Sequence, residues 1–226
     1  MNRTIFGLIL ILLGGLQAAN KTAAARIQLN NPTLTIAVKN YARVDALTLD
    51  EAETTATLIF RKAGVRAQWI DLTSTPAGQV SVNGAGSIFE VQVHIIGGEM
   101  AERLDYSNNV MGMAPGSDRE RQLVYVFYDR VEALAERQKM ARVEGRVTRY
   151  ASKSQILGDL MAHELGHVLL NLRSHSATGI MRGGWNLKDL EDVGGGCLLF
   201  TRPQADIIRA EVASRRVQRE PVEVAE

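Results

Sequence analysis

Three of the four histidines in the chain, His163, His167 and His175, fall within thirteen residues. The first two bracket the stretch His163-Glu164-Leu165-Gly166-His167. On an α-helix, residues four apart stand one above the other on the same face. Two imidazoles so placed reach one divalent ion at about 2.0–2.1 Å, the distance at which zinc takes a histidine nitrogen. Glu164 projects beside that face, close enough to take a proton from a water activated by the ion without ligating the ion itself. The H-E-x-x-H spacing thus sets two ligands beside one general base.

A hydrolytic zinc site needs a third protein ligand and one open position. His175 follows His167 after seven residues. A helix running on to position 175 would carry that ring about two turns beyond the ion, so the chain must reverse after about Leu170. Asn171 suits the reversal, because Asn tolerates the left-handed backbone that ends helices. A carboxylate from the following segment, WNLKDLEDV, is the rival: Glu191, with Asp192 beside it. Asp159 lies four residues before His163 and on the same face, where it could orient a ligand imidazole or serve as a surface charge. Tyr106 and Tyr150 are candidate hydrogen-bond donors to a developing oxyanion. His94, between Val93 and Ile95, reads as a structural residue of a strand.

The stretch HELGHVLLNLRSHSATGIM resembles the signature of the metzincin zinc peptidases, which is H-E-x-x-H, a third His, and a tight turn carrying Met beneath the metal. The resemblance gives Met181 the Met-turn place and His175 the third-ligand place. Here the third His comes two residues later than in that family, and Leu170 or Asn171 stands where its Gly is usual. Upstream, NNVMGMAP and RQLVYVFYD resemble the family's edge strand and the strand after it. Close likeness covers about residues 108–181. It implies that Val110, Met111, Gly112, Met113 and Ala114 form an edge strand to which a substrate backbone adds as a further strand.

Several elements must position these residues. Alternating Leu34, Ile36 and Val38 predict a first strand. Thr48 or Asp50 caps a helix running to about Lys62 and stopped by Gly64. Strands are expected at Val65 to Ile70, Phe89 to Ile96 and Leu123 to Tyr128. Residues 71–86 and 97–121 read as loops, the second holding the short extended piece at 110–114. Helices follow at Asp129 to Val143, Ser154 to Leu170 and Pro203 to about Val217. The Ser154 helix carries the motif and has Ile156, Leu157, Leu160, Met161 and Leu165 as its buried stripe. A strand, a helix, more strands and then helices predict one α+β domain over 33–218, with a mixed twisted sheet and helices packed on it.

Composition is that of a chain able to build a core without crosslinks: 46% hydrophobic and 23% charged residues in 226. With 26 Lys and Arg against 25 Asp and Glu, it lacks the basic excess of a nucleic-acid binder. Residues 1–19 have the build of a signal peptide: Arg3, an apolar run from Ile5 to Leu16, then Ala18 and Ala19. An uncleaved anchor is the alternative. A linker over 20–32 and a flexible tail over 219–226 flank the domain. The lone Cys197, in GGGCLLF, is expected to be buried.

Together these readings imply a secreted or periplasmic zinc-dependent endopeptidase. It would be a monomer acting on peptides or proteins with one Zn2+ ion, and its only membrane element would be the signal peptide. Two alternatives stay open: a non-catalytic secreted module that keeps a structural zinc, and a zinc amidase acting on a cell-wall amide.

Overall fold

Leu34, Ile36 and Val38 point to one side of strand β1 (Thr33–Asn40) and Ala37 to the other, and all four are fully buried. A strand buried on both faces belongs inside a sheet. In the computed structural model, which describes residues 31–74, 90–107, 110–115, 122–146, 148–171 and 175–217, β1 pairs in parallel with β2 (Arg66–Asp71) on one side. On the other it pairs in parallel with β3 (Val91–Ile96), which pairs in parallel with β5 (Leu123–Phe127). The short β4 (Gly112–Met113) closes the series, antiparallel to β5 through Gly112↔Val126 and Met113↔Tyr125. Among the described residues the strand order is β2-β1-β3-β5-β4, a mixed five-stranded sheet in an α+β arrangement. The expected signal peptide (1–19), the expected tail (219–226) and the expected linker through residue 30 lie outside the described residues.

Helix α1 (Ala46–Lys62) begins one turn earlier than the Thr48 and Asp50 alternatives place it. Asp45 is the cap, its carboxylate accepting from Thr48 N at 3.0 Å. Residues 97–121 also hold an element that the loop reading misses, the six-residue α2 (Gly98–Arg103). Helix α3 (Tyr128–Val143) grows directly out of β5 with no connecting loop, so the last strand residue, Phe127, is also the helix cap.

The motif helix is α4 (Lys153–Leu170), started by a capping box between Ser152 and Gln155. It is buried along nearly its whole length from Ser154 to Leu170, which makes it the central post of the core. Gly158 allows α1 to cross it closely: a Cβ there would stand 2.5 Å from the Ala52 carbonyl oxygen and 2.6 Å from Thr55 Cβ. Helices α5 (Leu187–Gly194) and α6 (Arg202–Val217) follow, with Ile208 and Val212 of α6 in the same core.

Cys197 departs from its expected burial. The turn ending α5 runs through Gly194, Gly195 and Gly196, the last at φ 64°, and Cys197 N bonds back to Asp192 O at 2.8 Å. That turn leaves the thiol exposed and sends Leu198 inward.

Candidate metal centre

His163 and His167 stand one turn apart on α4, with Nε2 atoms 3.2 Å apart. Two nitrogens bound to one tetrahedral zinc at 2.0–2.1 Å lie about 3.3 Å from each other, so the spacing already matches a shared ion. Helix α4 stops at Leu170 because Asn171 takes the left-handed conformation, φ 51° and ψ 40°, with its N–H returned to His167 O. The reversal expected at this residue is therefore present. His175 comes back to the helix, its ring centroid 5.3 Å from that of His163 and 5.0 Å from that of His167. One nitrogen from each of the three rings falls within 4.8 Å of the others. Among the described residues no fourth His, Cys, Asp or Glu joins this group.

The strap that follows His175, residues 176–182, is held by backbone hydrogen bonds. Ser176 N donates to Met181 O at 2.9 Å, Arg182 N to Gly179 O at 3.1 Å, and Ile180 N to Leu199 O at 2.9 Å. Gly179 supplies the positive φ, 73°, that this tight path requires. Ile180 O then lies 2.6 Å from His163 Nδ1. A ring whose Nδ1 donates to a carbonyl presents Nε2 as its lone pair, and this is the nitrogen facing His167. Trp185 Nε1 reaches the same carbonyl at 3.4 Å, and its ring stands edge-on to His163 at 5.8 Å.

Met181 is buried directly beneath the motif, its Sδ within 2.5 Å of where a Cβ on Gly166 would be. The glycine inside His163-Glu164-Leu165-Gly166-His167 is thus the place where the strap seats against the helix. Gly183 does the same behind the third ligand candidate, since a Cβ there would meet His175 Cγ at 2.8 Å. Arg182 donates to both carboxylate oxygens of Asp189, at 3.1 and 3.0 Å, tying the strap to the first turn of α5.

Glu164 is buried at 4% exposure and lies against the edge strand: a Cβ on Gly112 would come within 2.7 Å of its Cγ and Oε1. Burial pushes the Glu164 carboxyl up to about 8 and the His163 imidazolium down to about 4. His163 is accordingly neutral at physiological pH, the form that ligates metal. A cation among the imidazoles would oppose the push on Glu164, because positive charge favours the carboxylate. Three imidazole nitrogens with an adjoining carboxylate are a donor set that fits zinc.

The acidic rival for third ligand goes elsewhere. Glu191 accepts from Thr148 N and Oγ1 at 2.7 and 2.9 Å, and Asp192 pairs with Lys188 at 2.8 Å. Asp159 is buried at 2% exposure, yet the acceptor that orients His163 is the Ile180 carbonyl. Tyr106 leans on Phe127 and Tyr150 on Arg142, while the ring that flanks the imidazoles is Trp185. His94 is held between Tyr41 and Tyr125 with Gln92 at 3.1 Å, in the structural place expected of it. Sequence reasoning missed the Ile180 carbonyl, because a backbone atom carries no residue signature. Trp185 offered a faint signal as an aromatic just past the Met181 turn. No protein-family model matches the chain, and no curated protein matches it.

Proposed function

We propose that the chain is an exported zinc-dependent endopeptidase of metzincin-like build. The observation that carries this reading is the convergence of His163, His167 and His175 within 4.8 Å, with the Glu164 carboxylate lodged against an edge strand. Three ligands without a fourth among the described residues favour an open, hydrolytic site over a closed structural one.

When bound, zinc polarises a scissile carbonyl and lowers the pKa of water toward ~7. His163, His167 and His175 hold the ion, and the Ile180 carbonyl keeps His163 in the tautomer that can do so. Glu164 takes the proton of the attacking water and delivers it to the leaving amine. The outer edge of β4 pairs with no strand among the described residues, so an extended peptide can add there in register. Gly112 brings that strand within contact of Glu164, so a backbone aligned on β4 passes over the base.

The test compares the zinc-loaded wild-type protein with Glu164→Gln on casein. The reading expects cleavage by the wild type and none by the variant, with equal zinc in both. Cleavage unchanged in Glu164→Gln removes that residue from the mechanism. Zinc binding without cleavage of any polypeptide favours the non-catalytic module, and release of amine from cell-wall fragments instead favours the amidase.

A further inference from the structure

We infer that Arg130 is a positioning residue that sets the edge strand over Glu164, an inference that rests on the peptidase reading above. Strand β4 is only two residues long and lies at the sheet margin. Its attachment to the sheet is the pairing of Gly112 and Met113 with Val126 and Tyr125, plus Phe127 N donating to Met111 O at 2.9 Å. So short a ladder leaves an edge strand poorly fixed. A strand that aligns a substrate must nevertheless hold its place to a fraction of an ångström.

A further constraint comes from the third residue of α3. Arg130 is buried at 8% exposure, and its guanidinium donates to three backbone carbonyls of the segment leading into β4. Nη2 reaches Tyr106 O at 3.0 Å, and Nη1 reaches Ser107 O at 2.9 Å and also Val110 O. Val110 N closes the same turn on Ser107 O at 2.9 Å. The guanidinium rests on the Phe127 ring, 4.2 Å from its centroid, so the clamp is itself held from below. Because α3 starts where β5 ends, residues 125–130 supply first the ladder partners of β4 and then the clamp.

A buried guanidinium is costly unless its donors are matched, and among the described residues the Arg130 Nε–H meets no acceptor. Packing alone would favour an apolar side chain at this position. A fork with its donors on one turn is instead suited to fixing that turn, and with it the strand that follows. A lysine has no planar fork and cannot span the three carbonyls in the same way.

The experiment uses the full chain, zinc-loaded, as wild type, Arg130→Met and Arg130→Lys. Amide hydrogen exchange is followed at 110–113 and at β3, and kcat and KM are measured on casein peptides of at least eight residues. The expected result is exchange at 110–113 faster by about tenfold or more, with β3 unchanged, and KM raised about tenfold with kcat within about twofold. Arg130→Lys should fall between the other two. Zinc content should stay equal in all three.

Unchanged exchange at 110–113 in both variants overturns the inference, and so does a fall in kcat with KM unchanged. Should Arg130→Met fail to fold, Arg130→Lys carries the same comparison. A wild-type protein that cleaves no peptide defeats the peptidase reading separately, since the exchange measurement does not depend on turnover.

Discussion

The backbone carbonyl of Ile180 and the Nδ1 atom of His163 lie 2.6 Å apart, which joins the strap carrying Met181 to the helix carrying the first ligand candidate. The strap and the helix therefore position each other. Distortion of one is felt in the nitrogen the other presents, and the residues at their contact can be tested without touching a ligand.

Gly166 is the most direct of these. A methyl group there would overlap Met181 Sδ at 2.5 Å and Phe200 Cε1 at 2.8 Å, both on buried side chains. Gly166→Ala should lower stability by about 1–3 kcal/mol, the usual cost of overpacking, despite the better helix propensity of Ala. It should also weaken zinc binding by displacing the strap. Calorimetry with and without zinc checks both effects, and an unchanged or raised Tm would show that the strap does not bear on Gly166.

Asn171 tests the reversal. At φ 51° a β-branched residue is strained, whereas Gly is at ease. Asn171→Gly should therefore keep both stability and zinc affinity close to wild type. Asn171→Val should cost about 1–2 kcal/mol and weaken zinc binding, as His175 loses its return path. Equal zinc affinity in the two variants would separate the turn from the site.

His94 gives a pH dependence away from the candidate metal-binding histidines. Burial, reinforced by the nearby Lys39, drops its pKa from 6.5 to about 4. Between those values the unfolded chain binds a proton that the folded one does not, so this contribution to stability is complete above pH 6.5 and is lost as pH falls toward 4. His94→Gln should flatten the stability curve over that window while leaving the pH 7.5 to 9 region parallel to wild type. Urea unfolding across the pH range reads the difference, and identical slopes from pH 4 to 6.5 would refute it.

Trp185 should report metal directly. Its ring is 5.8 Å from His163, while Trp69 lies on β2 at the opposite margin of the sheet from β4, bonded to Thr57. Adding Co2+ to the metal-depleted protein should quench Trp fluorescence, EDTA should restore it, and Trp185→Phe should remove most of the response. Quenching that survives in Trp185→Phe would mean the ion binds elsewhere.

Much of the candidate site was legible because the side chains that the structure brings together are residue types at helical spacing. His163, Glu164 and His167 needed only a helix, and Asn171 signalled its end through a backbone preference of its own. Strand β5 was legible as an apolar run rich in β-branched and aromatic residues, expected from Leu123 to Tyr128; the strand ends at Phe127, and Tyr128 is already the first residue of α3. Helix α2 was not, because Gly97 and Gly98 read as loop and six residues are too few to show a helical period; in the fold Gly97 serves as its cap. The Asp45 cap was missed for a related reason. Thr48 and Asp50 have the right residue types, but the deciding fact is which carboxylate meets Thr48 N. Ile180 and Arg130 act through backbone carbonyls, which look alike at every position of a sequence. Cys197 was misjudged because its apolar neighbours, Leu198 and Phe200, are buried while the glycine turn before it faces outward.

The shared ion itself is best tested by zinc content after dialysis against a weak chelator, measured for the wild type, Glu164→Gln, Glu191→Ala and each single His→Ala variant at 163, 167 and 175. An ion shared by the three imidazoles predicts close to one zinc per chain in the first three and almost none in the histidine variants. Full zinc retained in His175→Ala, or an empty site in Glu191→Ala, would contradict it.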